Sequence, residues 1–277
     1  MICFPHAKIN LGLQVIKKRE DGYHDIETVF YPLNWRDILE IVEDRSSSVK
    51  VKVSFSSSGL AIYGNIEDNL IVKAYQLLDD DFNLPPVKIH LHKVIPMGAG
   101  LGGGSSDAAF TIKTLNELFN LQLSLRSQLE YARRLGSDCA FFIEGKPVLA
   151  TGKGDLFEDI NLNLSQLNLM VIWPEIHSNT ADAYSGIAPS PALISLRETL
   201  NNDLNFWRDY LKNDFESTVF KKYPLLEKIK FTLYEQGARY VSMSGSGSAI
   251  FGLFDVPIPK FNWPKNYLVY LPGSDYR

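Results

Sequence analysis

Between an alternating apolar stretch, VKIHLHKVI (87–95), and a run of helical periodicity from Ser105 onward lies PMGAGLGGGSSDAA, residues 96–109. Gly98, Gly100, Gly102, Gly103 and Gly104, followed by Ser105 and Ser106, make a strand-to-helix connection almost without side chains. Lacking Cβ atoms, the amides of such a loop converge on an anion, and the helix N-terminus beyond it adds partial positive charge. The segment points to polyphosphate binding; the plainer alternative is a tight turn that lets a helix pack on a sheet. Any anion site must be local, because 28 Lys plus Arg against 32 Asp plus Glu give the 277 residues a net charge of -4. No general attraction to nucleic acid or to an anionic membrane follows from that balance.

The rest of the chain reads as mixed strand and helix. Strands are expected from INLGLQVI, HDIETVFYPL, DILEIV and VKVKVSF, then a helix through LIVKAYQLL capped by Asp68 or Asn69. Beyond the glycine loop, Ala108, Ile112, Leu115 and Leu118 or Phe119 recur at helical spacing, and LRSQLEYARRL is bracketed by Ser124 as cap and Gly136 as stop. A strand LNLMVIW, helices around 203–213 and 223–236, and two strands flanking SGSGS complete the pattern. The polar, turn-rich GKGDLFEDINLNL marks a soft boundary, dividing the chain into domains 1–156 and 157–277. Cys3 and Cys139 have no zinc or disulfide spacing, Pro5, His6 and Lys8 interrupt the N-terminus before any signal-length apolar run, and no membrane-length apolar stretch occurs. A soluble, cytoplasmic α+β protein is expected.

Two familiar motifs overlap the loop. Gly98, Gly100 and Gly103 satisfy G-x-G-x-x-G, but the region about 20 residues on, where a dinucleotide fold places an acidic residue at a strand end, reads as helix. Gly98 and Gly103 have the spacing of G-x-x-x-x-G-K-[ST], yet Gly104 stands at the lysine position. H-R-D and D-F-G signatures are absent.

Three segments in order, PHAKINLGL (5–13), the glycine loop, and SMSGSGSAIFGLF (242–254), resemble the GHMP kinases, small-metabolite kinases named for galactokinase, homoserine, mevalonate and phosphomevalonate kinases. AKINLGL, DGYH (21–24) and the long form GLGGGSSDAA are most similar to a branch that phosphorylates a cytidylated sugar alcohol in isoprenoid synthesis. GSDCAFF (136–142) resembles that branch's GADVPFF and keeps Asp138 in register, differing at Ser137, Cys139 and Ala140. The resemblance implies a ribosomal S5 domain 2-like N-terminal domain and a ferredoxin-like C-terminal one. It also implies ATP with Mg2+, whose ligands stay unassigned, a small-molecule alcohol as second substrate, and a monomer or homodimer.

By the same resemblance, Asp138 is the base that accepts the hydroxyl proton and Lys8 orients it and stabilises charge on oxygen. Pro96, Met97, Gly98, Ala99, Gly100, Leu101, Gly102, Gly103, Gly104, Ser105 and Ser106 would form the phosphate loop; Asn69 and Lys93 are candidates for the adenine pocket by position, just before the expected helix and just before the loop. Tyr23 stacks on the cytosine, His24 reads its edge, Tyr184 covers the other face, Thr180 adds a polar contact and Asn10 lies near the reacting hydroxyl. Ser244, Gly245 and Gly247 steady the loop from behind.

Read without the family, these residues have ordinary uses: Asp138 and the two serines as helix caps, Lys8 as a water-facing strand residue, Tyr184 as packing, DGYH as a surface hairpin. Asp107 reads as a cap or a dipole partner. Another GHMP kinase acting on homoserine or a mevalonate derivative, a noncatalytic nucleotide sensor and a dinucleotide oxidoreductase are the rival functions.

Overall fold

A computed structural model of the chain describes residues 1–46, 51–191, 194–260 and 262–273. In chain order its strands are β1 (Ile2–Cys3), β2 (His6–Lys18), β3 (His24–Arg36), β4 (Ile38–Glu43), β5 (Val53–Gly59), β6 (Val87–Lys93), β7 (Val148–Thr151), β8 (Leu156–Asp159), β9 (Asn168–Trp173), β10 (Tyr240–Met243), β11 (Ile250–Phe254) and β12 (Leu268–Tyr270). Its helices are α1 (Leu70–Phe82), α2 (Gly103–Leu118), α3 (Leu125–Leu135), α4 (Phe141–Glu144), α5 (Thr180–Ser185), α6 (Leu196–Leu200), α7 (Leu204–Tyr210), α8 (Glu216–Lys222) and α9 (Pro224–Glu235). Two compact units form, each from several segments. Met1–Ala7, Leu33–Met97 and Gly102–Gly145 build the first; Lys8–Pro32, Gly98–Leu101 and the described residues from Lys146 onward build the second.

In the first unit the sheet order is β1-β4-β6-β5, with β5 parallel to β6 and the other pairs antiparallel. The period of two along VKIHLHK buries Val87, Ile89 and Leu91. Opposite them in β4 stand Ile41 (facing Ile89) and Leu39 (facing Leu91). Tyr75 and Leu78 of α1 and Ala108, Ile112 and Leu115 of α2 are buried in the same core. Asn69 caps α1 by accepting from the Ile71 amide, which settles the choice between Asp68 and Asn69. Ser124 caps α3 and Gly136 ends it, as its sequence pattern suggests. The expected strand VKVKVSF starts at 49 and 50, which lie outside the described residues, and the strand observed there runs from Val53.

The second unit holds two sheets, ordered β2-β3-β7-β8 and β10-β11-β9-β12. Leu13 and Val15 of β2, Met170 and Ile172 of β9, Phe215, Val219 of α8, Ile229 and Leu233 of α9, and Ile250 and Phe254 of β11 share one core. GKGDLFEDINLNL is not simply a connection: Gly152 and Gly154 take left-handed φ of 64° and 84°, and β8 folds back antiparallel on β7. Glycine there supplies the hairpin geometry that polarity alone had suggested was loop. The short helix α8 has no side-chain bond at its N-cap, Phe215, and is preceded by Asn213, whose Oδ1 accepts from the Phe215 amide at 3.0 Å. Among the described residues no helix is long and apolar enough to cross a membrane.

Candidate functional site

The glycine loop is docked through its carbonyls. Ala99 O accepts from the Ala249 amide at 3.0 Å and Leu101 O from the Lys8 amide at 3.0 Å. Gly100 O accepts from Ser244 Oγ at 2.8 Å. Three successive carbonyl oxygens are thus taken up by protein donors. Gly98, Gly100 and Gly102 have φ of 64°, 76° and 70°, the left-handed region where glycine carries no penalty. At Gly100 space is decisive as well, since a Cβ would stand 1.8 Å from Ser244 O. The turn Ser244–Ala249 therefore packs behind the loop, and Asn213 Nδ2 holds that turn through the carbonyls of Met243 and Gly245, both at 2.8 Å.

Beyond the loop, α2 begins earlier than the serines suggest. Its N-cap is Gly102, with no side-chain bond, so Ser105 and Ser106 sit inside the first turn and cap nothing. The left-handed Gly102 lets Gly103 and Gly104 enter the helix, leaving first-turn amides without a side-chain acceptor. Ser106 Oγ is buried without a hydrogen-bond partner among the described residues. A helix end of this kind has donors and partial positive charge with which an external acceptor could be held. Beneath it, burial pushes the Cys139 thiol up to about 12, with the hydrogen bond to Ser105 working the other way, so Cys139 is an inert core group.

Beside α2 the first unit has a cavity of about 310 Å³ whose lining includes Asn69, Lys93, Met97 and Gly104, four of the residues expected to hold the nucleotide, together with Tyr63, Ile66 and Asp107. Asn69 uses its side-chain oxygen to cap α1. Lys93 is 1% exposed and lies between two carboxylates, 2.5 Å from Asp37 Oδ2 and 2.7 Å from Asp107 Oδ2. Burial works against its charge, but Asp107 and Asp37 more than offset that and hold its pKa above the ordinary lysine value. Burial drives Asp107 up to about 7 despite Lys93. Asp107 is therefore a core ion-pair partner, where its position had suggested a cap or a dipole partner.

Lys8 is also buried, at 3% exposure, which rules out the water-facing role. Its ammonium donates to Asn10 Oδ1 and lies 4.9 Å from the centre of the Phe30 ring. Asn10 is fixed in turn by Nδ2 to Thr28 Oγ1 at 2.9 Å and by its amide to Ser244 Oγ at 3.2 Å. Asp138 is half-buried in the turn that follows Gly136, with Cys139 N bonded to Gly136 O and Phe141 N to Asp138 O. Its carboxylate is not a helix cap, since the N-cap of α4 is Ala140 and makes no side-chain bond. The turn forms in spite of the Ser137, Cys139 and Ala140 differences.

DGYH is the β2–β3 turn. Arg19 N bonds to Tyr23 O at 2.9 Å, Asp21 Oδ1 accepts from Tyr23 N at 3.1 Å, and the Arg19 guanidinium pairs with both Asp21 and Asp25. So braced, the turn presents Tyr23 at 61% exposure. Lys153, from the β7–β8 hairpin, holds its ammonium 4.9 Å from the Tyr23 ring centre. His24 and Tyr184 are stacked, with centroids 4.6 Å apart and planes 14° from parallel, and Phe215 meets Tyr184 edge-on. The ring expected on the far face of a base is thus in contact with the imidazole expected to read its edge. Thr180 opens α5 and shares a hydrogen bond with Ser246 at 3.0 Å.

Sequence reasoning missed Asp37, Asn213 and Lys153. For Asp37 there was a usable signal, the same period of two that turns Leu39 and Ile41 inward. Lys153 was masked by its polar surroundings, and Asn213 carries no local signal. Among the described residues no group of three or more His, Cys, Asp or Glu is placed to hold a metal.

Comparison with known proteins bears on this geometry. The model of the GHMP kinases N terminal domain matches residues 69–146 and that of the GHMP kinases C terminal domain matches 192–258, together more than half the chain. A 4-diphosphocytidyl-2-C-methyl-D-erythritol kinase of Bacteroides thetaiotaomicron is 50% identical over 269 residues, covering 96% of this chain and 97% of its own. The Bacteroides fragilis protein of the same name is 52% identical over 254 residues, 92% of each chain. A crystal structure of 4-(cytidine 5'-diphospho)-2C-methyl-D-erythritol kinase superposes with a TM-score of 0.73 at 32% identity, covering 91% of this chain and 90% of that one. With the α+β architecture, the docked glycine loop and these matches in hand, the chain belongs to the GHMP kinase family.

Proposed function

We propose that the chain transfers the γ-phosphoryl group of ATP to the 2-hydroxyl of 4-diphosphocytidyl-2-C-methyl-D-erythritol, giving the 2-phosphate and ADP in the non-mevalonate isoprenoid route. The observation that carries the reading is the glycine loop, its carbonyls bound to protein and its last glycine opening a helix without a side-chain cap. Two relatives about half identical along nearly their whole length, both bearing that kinase name, support this substrate over homoserine or mevalonate.

In this reading the stretch from Pro96 through Gly98, Gly100 and Gly103 to Ser106 holds the phosphates, and the cavity lined by Asn69, Met97 and the buried Lys93 receives the adenine. Mg2+ bound with the nucleotide would supply charge neutralisation at the transferring group. The alcohol oxygen bonds to the γ-phosphorus as the bond to the ADP oxygen breaks, and its proton passes to the Asp138 carboxylate. Lys8, oriented by Asn10, stabilises the oxygen charge. Tyr23 offers an exposed face to the cytosine, with Lys153 supplying a cation for the diphosphate beside it. His24, Tyr184 and Thr180 complete the base pocket once the His24–Tyr184 stack opens. The division of the chain into domains 1–156 and 157–277 is part of this reading, with Lys8–Pro32 packing in the second compact unit alongside Thr180 and Tyr184. Two free cysteines suit a cytoplasmic location.

ADP release with Mg-ATP tests the proposal, using the cytidylated alcohol beside homoserine and mevalonate. Turnover with the cytidylated alcohol alone is expected; turnover only with one of the others would assign a different substrate.

A further inference from the structure

We infer that the Lys93–Asp107 ion pair is a tie between the two anchors of the glycine loop, so that Lys93 and Asp107 act as positioning residues for the nucleotide's phosphates and not as contacts to its base. The inference rests on the proposal that the loop binds ATP.

The tie follows from the strand pattern. Along β6 the residues 87, 89, 91 and 93 share the buried face, so the alternation that builds the core also carries a lysine into it. In the neighbouring strand register Leu39 faces Leu91 and Ile38 faces His92, and one step further Asp37 comes opposite Lys93. Asp37 Oδ1 accepts from the Val94 and Ile95 amides at 2.6 and 2.8 Å, which fixes the chain where it leaves β6 for the loop. On the other side, Asp107 stands one turn inside α2, and its Oδ2 accepts from the same ammonium at 2.7 Å. A Cβ on Gly103, the first helical residue, would lie 2.9 Å from Lys93 Nζ, so the ammonium is wedged directly under the helix start. One buried cation therefore joins the entry and the exit of the loop.

Charge alone does not account for Asp107. A carboxylate in the second turn of a helix whose N-terminus receives phosphate opposes the ligand, and its desolvation is costly. What it supplies is an acceptor that keeps Lys93 on α2 as well as on Asp37. The two explanations differ in sign: removal of a repelling charge strengthens anion binding, whereas removal of a tie weakens it.

The experiment measures binding of Mg-ATP and of Mg-tripolyphosphate, which has no base, to the intact protein and to Asp107→Ala and Asp107→Asn. Asp107 borders the cavity, so alanine leaves a gap open to water, and Lys93 keeps Asp37 as partner. Asp107→Ala should weaken both ligands by the same factor, roughly tenfold, as expected for a misplaced binding loop. Asp107→Asn, which retains an acceptor for Lys93, should stay within about threefold of the unaltered protein. KM for the alcohol should not follow the change. Lys93→Met combined with Asp107→Asn removes the tie while leaving Asp37 its two amides, and should repeat the Asp107→Ala result even if that variant does not fold. Unchanged or tighter tripolyphosphate binding in the folded variants, or a loss confined to ATP, overturns the tie. An unaltered protein that binds neither ligand would instead sink the ATP reading beneath it.

Discussion

The carbonyl oxygen of Ser244 occupies the place beside Gly100 where any side chain would have to begin, 1.8 Å from an ideal Cβ. The same serine donates through Oγ to Gly100 O and accepts from the Asn10 amide, so the loop, the β10–β11 turn and the strand carrying Lys8 meet at one residue.

A Gly100→Ala substitution should therefore be severe. The left-handed backbone alone costs an L-residue about 1–2 kcal/mol, and the backbone contact adds to it. Gly104 is the contrast, with a helical position and nothing within 4 Å of a Cβ. Melting temperature should fall clearly in Gly100→Ala and stay level or rise in Gly104→Ala, where alanine is favoured by up to about 1 kcal/mol. Equal melting temperatures would contradict the packing described.

Tyr23 should act on one substrate only. Its loss in Tyr23→Ala should raise KM for the cytidylated alcohol by an amount equivalent to about 1–3 kcal/mol, the usual range for a base on an aromatic ring. KM for ATP should stay within about twofold, because no contact with ATP is assigned to Tyr23. Steady-state kinetics with each substrate varied in turn makes the comparison, and equal effects on both would remove Tyr23 from the alcohol site.

Asp107 gives stability a pH dependence of definite sign. Its pKa is raised by burial to about 7, so the folded state prefers the protonated carboxyl. That contribution is complete below the ordinary carboxylate pKa of about 4 and is lost as pH rises through the folded value. Denaturant unfolding of Asp107→Asn, which does not titrate, should show a stability advantage over the unaltered protein that grows between those limits. The growth should be on the order of 1–4 kcal/mol, and a constant gap would mean that Asp107 titrates normally.

Much of this was legible in the chain because it depends on local pattern. Alternation placed β6, Ser124 and Gly136 framed α3, and the glycines marked the loop, each through a preference that acts within a few residues. The remainder depends on partners far apart in sequence. Asp37 and Lys93 are 56 residues apart, and Asn213 meets the turn after β10 only through tertiary packing. The two serines misled for a local reason: glycine is a poor helix former, yet a left-handed Gly102 started α2 ahead of them. The His24–Tyr184 stack likewise brings a β3 residue onto an α5 residue, a pairing no motif announces.

The most direct measurement is ADP release with Mg-ATP and 4-diphosphocytidyl-2-C-methyl-D-erythritol, on the unaltered protein and on Asp138→Asn. The expected result is turnover that the substitution lowers by about 10²–10⁴-fold, the range for loss of a general base, with KM for ATP little changed. Undiminished turnover in Asp138→Asn would contradict the assigned base, and no turnover by the unaltered protein, despite ATP binding, would contradict the kinase assignment itself.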